Sequence, residues 1–160
     1  MHAAQKEALE QHFGAKDWHG RSESGRRLIK EFRFQELEFK GWRLLKVKHA
    51  EQGAANVIRS MWSRADRVEE MLSMDVFLCT SVKSAHEVLL EVLGDMESGA
   101  IERKTEKNTP GDVAFGLANT MIAFARANLV AVVRNAGRAV VPVGIVAREL
   151  DSQIQRRMSE

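Results

Sequence analysis

Two side chains of this 160-residue chain could act as a nucleophile and its base, Cys79 and His86. Cys79 closes an apolar-polar run just before Thr80-Ser81 and an expected helix start, a setting that lowers a thiol pKa. His86, in the first turn of that helix, is the nearest base a thiolate would need. No motif surrounds the pair, and Cys79 alternates with the apolar set, so it packs on the opposite sheet face or is exposed; an inert cysteine is the simpler reading. The five histidines (His2, His12, His19, His49, His86) include no i, i+4 pair, and one cysteine builds neither a disulfide framework nor a cysteine zinc site. No glycine-rich loop follows a strand pattern, and Glu36 and Glu38 read as solvated carboxylates. No catalytic residue, metal or cofactor is therefore expected.

The residues suited to binding are of other types. Trp42 and Trp62 are candidate anchors for a partner, since tryptophan is enriched in binding hot spots; the alternative is that both fill the core. Arg126 and Asn128 flank a tight connection between two apolar runs, where Asn suits a hairpin turn, and they join a site only if both project into a pocket. Between Arg21 and Lys48 nine basic residues face four acids, a local excess of five within a chain of formal charge +2. A nucleic-acid surface needs such a patch, but the interleaved glutamates and the lack of any signature favour a solvated face.

These side chains must be held by elements legible in the pattern. Ala3–Phe13 reads as a short surface helix closed by Gly14, and 15–25 as a loop. Phe32, Phe34, Leu37 and Phe39, then Trp42, Leu44, Leu45 and Val47, suggest a β-hairpin turning at Lys40-Gly41, with slips near Glu36 and Leu45. Strands are expected over 57–62 and 72–79, the second turning Leu72, Met74, Val76 and Leu78 to one face. Ser84-Ala85-His86-Glu87 reads as a capping box opening a helix whose buried face is Ala85, Val88, Leu89, Val92, Leu93 and Met96, ended by Gly99. An exposed strand over 101–106, a meander over 113–117, 121–126 and 129–134, and a closing helix with Pro142 in its first turn complete the chain.

Taken together, the elements predict an α+β fold: a largely antiparallel sheet with two main helices packed on one face and a short N-terminal helix. Residues 1–25 form the N-terminal helix and loop, and 26–160 a single domain. The stretches Asp112-Val113-Ala114-Phe115, Phe124 to Val132 and Val146 to Asp151 resemble a loose pattern in bacterial exported or lipoprotein-type α+β domains. There, a Gly-Asp turn precedes a strand, an Arg-Gly-Asn hairpin joins two strands, and a closing helix carries a Leu-Asp stretch; Ala127 stands where that pattern has glycine. The resemblance implies a fold and export, and no catalytic residues. Residues 1–20 lack the apolar core of a secretory signal, so the chain is expected in the cytoplasm, or in the periplasm or outside the cell if a signal has been removed. The expected function is a non-enzymatic binding or protein-interaction module, possible as a homodimer. The alternatives are a small-ligand pocket between sheet and helices, with weak chemistry at Cys79 or His86, or a weakly basic nucleic-acid binder.

Overall fold

The computed structural model describes residues 2–18, 27–53 and 55–158. The expected loop lies outside them from residue 19 on, as do Arg21 and Arg26 of the basic stretch. Seven antiparallel strands, β1 (Trp42–Gln52), β2 (Ala55–Arg64), β3 (Met71–Leu78), β4 (Glu102–Arg103), β5 (Val113–Leu117), β6 (Met121–Arg126) and β7 (Leu129–Asn135), lie in the order β1-β2-β3-β7-β6-β5-β4. Helices α1 (Ala3–Phe13), α2 (Val82–Asp95) and α3 (Gly144–Met158) complete an α+β fold. Among the described residues no helix is long and apolar enough to cross a membrane. The first three strands form a meander, α2 carries the chain to the far edge, and the second meander returns until β7 zips onto β3.

The two main helices do not share a face. Leu72, Met74 and Val76 of β3, Ile122 and Phe124 of β6, and Ala131 and Val133 of β7 meet Val146, Ala147, Leu150 and Ile154 of α3. Phe77, Ala123, Ala125, Val130 and Val132 turn the other way and meet Ala85, Leu89 and Leu93 of α2. β6 and β7 are apolar on both faces, and a strand of that kind is stable only with cover on both sides. The expected single helical layer is therefore replaced by two. α1 lies on α2, with Lys6 Nζ 3.0 Å from Glu87 Oε1, and Phe13 and Trp18 join the α2-side core.

Residues 32–39 are not a strand either. Phe32, Phe34, Leu37 and Phe39 all enter the α3-side core, and Phe34–Glu36 is a single 3₁₀ turn. Three residues per turn put Phe34 and Leu37 on one side, which accounts for the spacing read as a slipped strand. The real hairpin is β1–β2, turning after Gln52-Gly53. The slip at Leu45 is real: the register shifts between Leu44 and Lys46, a β-bulge that leaves Leu45 48% exposed.

Smaller corrections concern helix ends and one edge. Ser81, extended at φ −152°, caps α2 by accepting the Ser84 N–H at 3.0 Å, so Ser84 is the third helical residue rather than the cap. The helix ends at Asp95, before Gly99 is reached. α3 begins two residues after Pro142, with the Ala147 N–H donating to the Val143 carbonyl. The strand expected over 101–106 shrinks to Glu102–Arg103.

Phe34 is fully buried and touches the rings of Phe32 and Trp62, with centroids 4.9 and 6.3 Å away. Phe34→Ala should lower stability by about 3–5 kcal/mol. Urea unfolding would show this as a lower midpoint at unchanged slope; a loss under about 1 kcal/mol would mean that residues 32–39 lie outside the core.

Candidate functional site

Arg126 ends β6 and points to the α3 side. Its Nε and Nη2 donate to the two Asp151 carboxylate oxygens at 2.9 and 2.8 Å, a fork-to-fork pair. Its Nη1 lies 3.3 Å from Asp112 Oδ1, and the Ala127 N–H donates to the other Asp112 oxygen at 2.8 Å. Asp151 also accepts from the Gly111 N–H at 2.9 Å and from Gln155 Nε2 at 3.0 Å. Burial opposes the Arg126 charge, but Asp151 and Asp112 outweigh it and hold the guanidinium pKa above its ordinary value. Gly111 is required beside this cluster: at φ +75°, a Cβ there would stand 2.6 Å from the Ala125 carbonyl oxygen. Ala127, the first residue of the β6–β7 turn, takes φ +53°, the left-handed conformation that favours glycine.

Asn128, the second residue of that turn, is 1% exposed. Its Oδ1 accepts the Ile29 N–H at 2.8 Å, and its Nδ2 donates to the carbonyls of Ile29 at 2.6 Å and Cys79 at 2.9 Å. Arg126 and Asn128 thus do not project into a shared pocket. One fastens α3 and the β5 turn to β6, and the other fastens residue 29 and the end of β3 to β7.

Cys79 and His86 are buried as well, at 5% and 3% exposure. Of the two placements open to Cys79, the structure shows packing on the α2 face. Burial pushes its thiol up to about 11, the reverse of an activated nucleophile. His86 stands edge-on to Trp18, with ring centroids 5.3 Å apart. Among the described residues no group of three His, Cys, Asp or Glu side chains is arranged to hold a metal ion.

The tryptophans part company. Trp62 is 2% exposed, with its Nε1 donating to Ser60 Oγ at 2.8 Å and Phe39 packed edge-on at 4.9 Å, so it is core. Trp42, at the start of β1, is half-buried beneath the Arg64 guanidinium, 4.5 Å from its ring centre. It lines a groove of about 1060 Å³ between β1, residues 35–40 and the start of α3, together with Leu37, Leu44, Pro142 and Ile145. Lys40, Arg64, Arg148 and Glu149 line it too.

On the opposite sheet face, strand register assembles a group that no stretch of sequence announces. Lys46 pairs with Met61, Lys48 with Arg59, Arg59 with Asp75, and Ser73 with Arg134. Lys46, Lys48, Arg59 and Arg134 line a depression of about 490 Å³ with Asp75 as the carboxylate among them. Lys48, beside it on the same face, draws the Lys46 pKa below its ordinary value. Burial raises that of Asp75, against the pull of Arg134 and Arg59. The basic stretch of the sequence is meanwhile divided: Arg27 binds the Met158 carbonyl on the α3 side, away from these lysines. No known protein family, curated protein or solved structure matches the chain.

Two outcomes test the buried groups. Arg126→Met leaves two largely buried carboxylates without their cation and should cost about 3–5 kcal/mol in urea unfolding. The Cys79 thiol has a higher pKa folded than unfolded, so the folded state holds its proton more tightly. The resulting stability is complete below about pH 9 and is lost as pH rises towards 11. Wild type should lose on the order of 2 kcal/mol more than Cys79→Ala over that window; parallel curves would refute the assignment.

Proposed function

We propose that this chain is a non-enzymatic protein-interaction module that receives an extended segment of a partner along β1. The observation that carries this reading is the edge itself. β1 is eleven residues long, stands outermost in the sheet, and pairs only with β2 among the described residues. A strand in that position presents a row of backbone donors and acceptors to any extended chain, the basis of recognition by strand addition. The groove at Trp42 supplies the apolar anchor that backbone pairing lacks. The burial of Cys79, and the engagement of Arg126 and Asn128 within the fold, support binding rather than chemistry. A resemblance to exported domains, with no catalytic residues to transfer, suits the same reading. A small amphipathic ligand is the second reading, favoured by a groove volume at the upper end of ligand sites and by the cations along it.

Selection of displayed ten-residue peptides on the immobilised chain tests the first reading. Selected peptides should be extended and carry apolar residues at alternate positions. N-methylation of alternate backbone amides should abolish binding, because it removes the donors a ladder needs. Trp42→Ala should weaken the selected peptides at least tenfold, a hot-spot effect of about 2 kcal/mol, while leaving the melting temperature within a few degrees. N-methylated peptides that bind equally well would exclude strand addition.

A further inference from the structure

β1 has two unlike faces, and the difference specifies the partner. Trp42, Leu44 and Val47 turn to the α3 side and pack against its core, whereas Lys46 and Lys48 turn to the other. A strand laid along β1 continues both faces, because its own side chains alternate with the same period. Resting on the strand-addition reading above, we infer that the partner segment alternates acidic and apolar residues, its carboxylates meeting Lys46 and Lys48, with Arg59 on the next strand behind them, while its apolar side chains continue the row from Trp42.

Three observations carry the charge of the partner. Four exposed cations line one depression of this face, where Asp75, 3.8 Å from Arg59, is the one carboxylate among the described residues that line it. Lysines on an edge strand alone would serve only to discourage self-pairing. Arg59, however, stands on β2, one strand in from the edge, where guarding the edge gives it no role, and Arg134 on β7 adds to the positive charge of the same face. The same lysines oppose a second copy of the chain. In an antiparallel pairing of two β1 strands, a two-fold axis at Val47 sets Lys46 against the other copy's Lys48. An axis at either lysine sets that lysine against itself, and like charges directly opposite are destabilising.

The test uses the full chain at physiological salt and three labelled ten-residue peptides, read by fluorescence anisotropy. The first alternates Val and Glu, the second alternates Val and Gln, and the third has the composition of the first with its glutamates in one block. The alternating acidic peptide should bind at least tenfold tighter than either of the others and weaken as salt rises. Lys46→Glu with Lys48→Glu should remove that advantage; both lysines are exposed, and circular dichroism would confirm an unchanged fold. Equal binding of the Gln peptide would overturn the acidic assignment while leaving strand addition standing. Equal binding of the blocked peptide would show charge attraction without register, and overturn it too. Failure of all three, with no peptide selected by display, would remove both readings. Tighter binding of a ten-residue oligothymidylate, lost in the double variant, would make the face a nucleic-acid surface and overturn the inference. So would a dimer in light scattering that the acidic peptide fails to dissociate.

Discussion

The structure depends first on one partly buried cation held between two carboxylates. Arg126 reaches Asp151 through a fork of two hydrogen bonds, while its third nitrogen faces Asp112. Moving such charges out of water is expensive, and the cluster offsets this with further donors to one oxygen of each carboxylate. Those extra donors are the backbone N–H groups of Gly111 and Ala127 and the amide of Gln155. Geometry rather than net attraction is what the arrangement contributes. It ties α3 to the end of β6 through Asp151, and the start of α3 forms one wall of the groove beside Trp42.

Asn128 performs the corresponding task two residues on, where a neutral amide meets a backbone segment that has no strand to pair with. Residues 27–39 run over the α3 side as irregular chain, and irregular chain beside a core needs partners for its backbone groups. Asn128 satisfies both the N–H and the carbonyl of Ile29. From there the chain delivers four apolar side chains into the core and arrives at β1.

Much of this is legible in the sequence. The runs 113–117, 121–126 and 129–134 became β5, β6 and β7 because each is bounded by residues that turn the chain. The helix faces of α2 and α3 followed from their periodicity. Residues 32–39 read as a slipped strand because Phe-x-Phe-x-x-Leu-x-Phe fits that as well as unpaired extended chain interrupted by one 3₁₀ turn, and only the packing decides. The two-sided cover of the sheet had a signal that went unused: Met121 to Ala125 and Leu129 to Val133 are continuous apolar runs, the mark of strands buried on both faces. Arg126, Asn128 and Trp42 stand out in the sequence by type and position, and Arg126 and Asn128 are fastenings within the fold. The cationic group of Lys46, Lys48, Arg59 and Arg134 had no local signal, since register alone brings residues so distant in the chain together.

The bulge at Leu45 governs the character of the whole outer edge. Were the ladder regular through that residue, Lys46 and Lys48 would swing round to the side of Trp42, and Val47 would leave the core. The extra residue acts as a phase shift that restores the alternation beyond it. Losing Leu45 would therefore straighten the strand without exchanging its faces, whereas losing a residue further along β1 would invert everything up to the hairpin turn. In this strand the chain can change length at one position and keep its chemistry.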